Sequence, residues 1–375
     1  LWRCRNEGVI LDSSPRRKAS CHMSDSASVF PDPNSFTKPL FDQLKRHPKR
    51  IVFTEAEDPR IVRVAARMVE LELGIPILLG DRERIRAIFA DLGLSTEFVS
   101  IIDPAKSSDF KLFCERFERI ERYRGIVNVD AESIIAKPHY FAAMMVQYGQ
   151  ADACLGGNQV DPFGVFRPVL HLVKPCPSVE KAFACTVLVS DSLPNFGADG
   201  ILFLADTGLI AEPEVDDIAT IAAEAGKLAH HHLGRMTRVA LLSHSNYGSA
   251  RDESSRMMQA AAALANERVN VLEIDVDGEI QADVALVPEA AAVKVPELAV
   301  KPPSDVLIFP SLDAAHISLK LLRHLGGAQA YGRIICGLTK PAAQVPRTAC
   351  EEMILGTAAA LGVEAIKYRE LHPSG

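Results

Sequence analysis

From Ile51 to Lys367, short apolar runs alternate with longer stretches whose apolar residues recur every three or four positions. No other feature constrains the fold as strongly. A parallel strand covered on both faces reads as a continuous apolar run, and the helix that carries the chain back reads as an amphipathic stripe. The alternation therefore predicts α/β layers with mostly parallel sheets. Strands are expected at 51–55 (IVFTE), 75–80 (IPILLG), 182–189, 200–205, 238–243, 270–275, 305–310 and 331–338. Asp58 is expected to cap a helix with Pro59 in its first turn, running to a stop at Gly74. A further helix over 214–229 follows Pro213, has Glu214, Asp216 and Asp217 at its positive end, and aligns Ile218, Ile221, Ala222, Ala225, Leu228 and Ala229 on one face. The histidines after it, His230 to His232, point in different directions and are expected to form a solvated last turn, not a metal set.

A chain of 375 residues favours two domains. Pro175 and Pro177, in KPCPS, mark one crossover, and a second is expected near Gly332, because the last strand and helix have too few partners to stand alone. Residues 23–177 with 333–375 then make the first α/β domain, and 178–332 the second. Residues 1–22 lack the apolar core of a signal peptide and read as upstream translation before Met23, or as a short disordered basic arm. With 41 Lys and Arg against 48 Asp and Glu, a formal charge of −7 and no sustained basic stripe, a nucleic-acid partner is not expected. No apolar stretch approaches the roughly 20 residues of a membrane span. The eight cysteines form no CxxC pair, which suits reduced thiols in a cytoplasm and no metal site.

Several loops join a strand to a helix through residues that suit anion chemistry. In 239–255, Ser243, Ser245 and Ser249 precede a helix, where free backbone N–H groups and a positive dipole end favour phosphate; they also suit ordinary capping. The segment VDGEIQADVAL (276–286) sets Asp277, Glu279, Gln281 and Asp283 after a strand, as an exposed face or as a polar wall of a cleft. Arg167, just before Pro168, suits forked bonds to phosphate or a surface ion pair. His316, at a helix start in 310–327, is either an acid or base near neutrality or a satisfied helix-start histidine. Arg347 stands between Pro346 and Thr348 in KPAAQVPRTACEE (340–352), where a turn alone needs no arginine.

Taken in order, IVFTEAEDPRIVRVAA (51–66), MMVQYGQADACLGG (144–157), VFRPVLHLVK (165–174), ALLSHSNYGS (240–249), DGEIQADVAL (277–286) and the block 306–341 resemble the phosphate acetyl/butyryl transferase family, including the similar domain at the C-terminus of some malic enzymes. The resemblance covers roughly residues 45 to 368. It implies two α/β domains with a cleft between them, similar in architecture to isocitrate and isopropylmalate dehydrogenases. It also implies transfer of an acyl group between coenzyme A and inorganic phosphate, without a metal or cofactor, by a homodimer. Nothing in the glycine pattern provides the G-x-G-x-x-G of a nucleotide-dependent dehydrogenase.

By that resemblance Arg347 matches an arginine that binds phosphate. Pro346 stands where a transition-state serine is expected, Thr348 replaces a glycine, and Met353 takes the place of the aspartate that accepts the thiol proton. Proline offers neither hydroxyl nor backbone donor. Glu351 and Glu352 are one helical step out of register each, and they and His316, which replaces an asparagine, are the candidate bases. Arg167, Ser243, Ser245, Ser249, Asp277 and Gln281 are expected to line the phosphate and substrate cleft. Arg122 and Arg124 fall where a basic residue faces coenzyme A, or form a surface charge pair. Two readings follow: an active acyltransferase with a rearranged base, and a catalytically impaired paralogue that binds acyl-CoA or acyl phosphate.

Overall fold

The computed structural model describes residues 30–371, apart from 192, 194, 198 and 270–272. The readings of 1–22 and of the first part of the strand at 270–275 fall outside the described residues. The chain begins with α1 (Thr37–Arg46), β1 (Lys49–Phe53), α2 (Pro59–Glu70), β2 (Gly74–Leu79), α3 (Arg82–Asp91) and β3 (Ser100–Ile102). Helices α4 (Phe110–Tyr123), α5 (Ala131–Ile135) and α6 (Pro138–Gln147) precede β4 (Ala153–Gly156) and α7 (Pro162–Leu172). The middle supplies β5 (Phe183–Val189), β6 (Ile201–Ala205), α8 (Val215–Leu233), β7 (Thr237–Leu242), α9 (Glu253–Val269), β8 (Ile274–Ile280), α10 (Ala282–Leu286), α11 (Pro288–Lys294), β9 (Val306–Ile308) and α12 (Leu312–His324). Last come β10 (Gln329–Cys336), β11 (Ala342–Gln344) and α13 (Glu351–Leu371).

These strands form one continuous sheet in the order β3-β2-β1-β4-β11-β10-β5-β6-β9-β7-β8. The first five are mutually parallel, as are β6, β9, β7 and β8. Antiparallel pairings of β10 with β11 and β5, and of β5 with β6, join the two parallel sets. The chain is thus α/β and mostly parallel, as its alternation predicts. The crossover expected near Gly332 falls inside β10, where its pairing with β5 slips register between Tyr331 and Ile334. Pro175 lies beside Leu338 in an isolated bridge, so the two connections between the sets run next to each other.

Alternate residues of β1 divide between two cores, the consequence of a two-residue repeat buried on both faces. Ile51 and Phe53 pack with α1, α2 and α13, while Val52 packs with Phe113, Phe141 and Phe166 from α4, α6 and α7. Asp58 does cap α2: it is extended, accepts the N–H of Arg60, and Pro59 fills the first turn. The helix ends at Glu70, earlier than the expected stop at Gly74, which instead opens β2. A Cβ on Gly74 would stand 2.0 Å from the carbonyl oxygen of Lys49, so glycine is needed for close pairing with β1. Helix α8 begins with a capping box between Glu214 and Asp217. Its last turn is not the solvated one expected. His232 stacks on Phe203 at 6.2 Å between ring centres and lies 5.8 Å from Phe36, and both His231 and His232 approach Glu364 of α13. The short strands β3, β4 and β11 carry too few residues to show in the pattern, and Asp277 and Glu279 belong to β8, not to a loop after it.

Candidate active site

Chain order reverses between β1 and β4, because α2 leads from β1 to β2 on one side while β4 lies on the other. At such a point the loops leaving the carboxyl ends of the strands diverge and open a crevice. Glu55 and Asp58 follow β1 here, Gly157 and Asn158 follow β4, and Pro346 and Arg347 follow β11. The Glu55 carboxylate is buried and takes the Gly157 N–H at 3.0 Å on each oxygen, the Thr54 hydroxyl at 3.0 Å, and Nε2 of His139 at 2.9 Å. Gly157 has φ +104°, and a Cβ there would meet the Val345 carbonyl oxygen at 2.6 Å. Only glycine lets this turn lie against the end of β11.

Arg60 ties the three loops together. Its fork grips Asp58 through Nη2 at 2.6 Å and Nε at 3.1 Å. It also donates to the carbonyl oxygens of Asn158 (2.9 Å), Arg347 (2.9 Å) and Ala349 (2.7 Å). Burial alone would raise the Asp58 pKa, but the Arg60 guanidinium and the Asn158 amide hold it below its ordinary 3.8. A depressed carboxylate stabilises the fold fully above its unfolded pKa, and that contribution is lost as pH falls through the lower folded value. Asp58→Asn should therefore flatten the wild-type loss of thermal midpoint below pH 3.8, as read by melting curves across acid pH.

The fold holds Arg347 by its carbonyl and leaves its guanidinium exposed, with no ion pair among the described residues. Arg167, also exposed, lines a cavity of about 480 Å³ with Lys137, His139, Tyr140 and Phe163. Helices α6 and α7 both start at this cavity, each with proline in its first turn; Asp161, which also lines it, caps α7 through the Gly164 N–H, while α6 has no side-chain cap, so two positive dipole ends and two cations stand there.

A second cationic wall comes from α12 and β10. His316, Lys320 and Arg323 share one face of α12 by their spacing, and Arg333 approaches from β10. Arg333 donates to Oε1 of Gln344 at 2.9 Å, and Arg323 reaches Sδ of Met353 at 3.2 Å. None of these four makes an ion pair among the described residues. Burial lowers the Lys320 pKa, and Arg333 and Arg323 lower it further. The His316 pKa is held down by burial, then by Arg333 and Lys320.

The other expected residues are placed differently. Glu351 pairs with Arg63 of α2 at 3.3 Å. Glu352 accepts from the Tyr331 hydroxyl at 3.2 Å, and burial raises its pKa. Each residue along a helix turns about 100°, so neither carboxylate replaces Met353 beside Arg323: Glu351 faces α2, and Glu352 lines a narrow cavity with Phe30 and Thr37. Ser245 is buried, its hydroxyl 3.0 Å from that of Ser249 and accepting the Ala250 N–H, while Ser243 accepts the Ser245 N–H. These serines therefore cap their own loop. Asp277 is buried and takes the Tyr247 hydroxyl at 2.6 Å and the Val300 N–H, so its oxygens are already engaged. Gln281 bridges the His244 carbonyl oxygen and Lys294. Arg124 is occupied by Glu121 and the His171 carbonyl oxygen, which matches a charge pair, and Arg122 lies in the last turn of α4.

The model of the phosphate acetyl/butaryl transferase family matches residues 35–361. The chain belongs to this family. It is 33% identical over 333 residues to a phosphate acetyltransferase of Acetivibrio thermocellus, covering 88% of this chain and 98% of that one. It is 32% identical to an NADP-dependent malic enzyme of Escherichia coli, covering 88% of this chain and 43% of that enzyme. Among solved structures, a phosphotransacetylase from Streptococcus pyogenes superposes with a TM-score of 0.79 at 29% identity, over 88% of this chain and 98% of that one. A phosphate acetyl/butaryl transferase works on two anionic substrates, and the structure offers two groups of cations, Lys137 and Arg167 at the cavity and Lys320, Arg323 and Arg333 at α12 and β10. Glu55, Arg60, His139, Lys320 and Arg333 stand in this candidate site without standing out in the sequence, and Asp58 is expected there only as a helix cap. The signal for Glu55, Asp58 and Arg60 was present in EAEDPR (55–60), a dense charge group directly after a buried strand.

Proposed function

We propose that the chain moves an acetyl or other short acyl group between coenzyme A and inorganic phosphate, with Arg347 and Arg167 as the phosphate grip. The observation that supports this reading is the Arg347 turn: its backbone, after the end of β11, is clamped by Arg60 while its guanidinium is exposed and makes no ion pair among the described residues. Attack of thiolate on acyl phosphate moves negative charge onto the leaving phosphate and a transient oxyanion, which a fixed cation stabilises. The reading needs no resident metal or cofactor, coenzyme A being a substrate. The test is release of coenzyme A from acetyl-CoA in the presence of phosphate, and of arsenate in its place. Measurable coenzyme A binding without turnover would instead favour the impaired paralogue that Pro346 and Met353 suggest. Arg167→Lys should raise the KM for phosphate several-fold with kcat little changed, because a point charge replaces a planar fork.

The proposed assembly is a homodimer. It is supported by the outer face of α12, where Ile317, Leu321 and Leu325 are 58%, 52% and 82% exposed and lie four residues apart. Such an exposed apolar strip suits an interface between copies. Leu321→Asp with Leu325→Asp should convert a dimer to a monomer in light scattering; an unchanged mass would count against this face. A cytoplasmic setting fits Cys114, Cys154, Cys185 and Cys336, which form no disulfide among the described residues; no described helix is long and apolar enough to cross a membrane. The division into 23–177 with 333–375 and 178–332 is supported by the two parallel sets at either end of the sheet.

A further inference from the structure

By the family resemblance Met353 stands where an aspartate is expected, and Glu351 and Glu352 are turned elsewhere. His316 makes no hydrogen bond or ion pair with a carboxylate among the described residues, and Arg333 and Lys320 act on it more strongly than Asp313 does. For an active acyltransferase, a group able to take the thiol proton is then to be sought on another element. Of the histidine–carboxylate pairs among the described residues, one borders the 480 Å³ cavity that holds Arg167: His139 with Glu55.

We infer that His139 is the general base for the coenzyme A thiol and that Glu55 is its positioning residue, an inference that rests on the acyltransferase reading above. Glu55 is itself immobilised, by the Gly157 N–H and the Thr54 hydroxyl. A neutral imidazole donating Nε2–H to this carboxylate at 2.9 Å is held in one tautomer, with Nδ1 as its free acceptor. That is the arrangement of a base aligned by an acid. The ring sits at the start of α6, beside the diverging ends of β1 and β4, with Lys137, Tyr140, Asp161 and Arg167 as the other titratable or charged groups around the cavity. The charges of Lys137 and Arg167 attract the phosphate groups of both substrates, and Asp161 caps α7 by accepting the Gly164 N–H.

In the direction of acetyl-CoA formation, the thiol proton passes to Nδ1 of His139. The thiolate electron pair forms the carbon–sulfur bond, the bond from the acetyl carbon to the phosphate oxygen breaks, and phosphate leaves with that pair. The imidazolium then returns its proton to the departing phosphate. In reverse, phosphate attacks acetyl-CoA and His139 protonates the leaving thiolate.

The experiment compares wild type, His139→Ala, His139→Gln and Glu55→Gln over a pH series with acetyl phosphate and coenzyme A. His139→Gln keeps a donor to Glu55 and guards against misfolding. Both His139 variants should lose roughly 10²-fold or more in kcat, keep KM values within a few-fold, and lose the acid limb of the pH profile. Added imidazole should restore part of the rate to His139→Ala only. Glu55→Gln should lose less and shift the acid limb. An active wild type whose His139 variants keep kcat within about twofold, or keep its acid limb, overturns the assignment of His139 alone. A wild type that binds coenzyme A without turning over overturns the acyltransferase reading and this inference together.

Discussion

Arg347→Ala is expected to lower kcat by about 10²- to 10³-fold, the loss usual for removing one preorganised donor from a transition-state site, while the thermal midpoint stays nearly unchanged. The two halves of this expectation have separate structural origins. The guanidinium is exposed and makes no ion pair among the described residues, so the fold does not lean on it. Its carbonyl, which alanine retains, is what Arg60 holds at 2.9 Å. Arg347→Lys should fall between the two, because lysine keeps the charge and loses the fork. Steady-state kinetics beside melting curves read both quantities, and an alanine variant with wild-type kcat would remove Arg347 from the chemistry.

Arg60→Ala should produce the complementary pattern, a loss of both stability and rate. Asp58 is buried and would lose the fork that neutralises it, and the carbonyl oxygens of Asn158, Arg347 and Ala349 would lose their shared donor. Removing one partner of a buried pair costs about 3 to 5 kcal/mol. Arg60 is about a quarter exposed, so about 2 kcal/mol is the better expectation after solvent screening. Rate should fall by about 10²-fold, the usual consequence of moving a catalytic group by roughly 1 Å. Arg60→Ala combined with Asp58→Asn should regain part of the stability, by removing the unpaired charge, and little of the rate. If the single variant were as stable and active as wild type, the clamp would have no role in placing Arg347.

The fold class was legible because β1, β2, β5, β6 and β7 are covered on both faces and therefore read as unbroken apolar runs. Helix starts were legible where the chemistry is local, as at Asp58-Pro59. What stayed hidden depends on contacts distant in sequence. The last turn of α8 looks solvated until α1 and α13 cover it, and β11 is a strand because β4 and β10 flank three residues of it. The site divides in the same way. Arg347 and Arg167 stood out by type and motif, whereas Arg60, Glu55 and His139 gain their meaning only when the ends of β1, β4 and β11 are adjacent. Ser245 and Asp277 are polar residues of suitable type whose bonds are already taken, those of Ser245 within its own loop and those of Asp277 by Tyr247 and Val300, 30 and 23 residues away.

The position of β11 and α13 also sets the order in which the molecule can be completed during synthesis. α13 packs against α1, α2, β1 and β4, all of which leave the ribosome while the middle of the chain is still untranslated. The strands from β5 to β9, with α8 to α12, are contiguous and can assemble as they emerge. The apolar faces of α1 and α2 must wait, exposed, for the final segment, a state in which a partly made chain is prone to aggregate. A nascent chain stalled before β10 should therefore need a chaperone for its first-made part, even though that part holds half of the crevice.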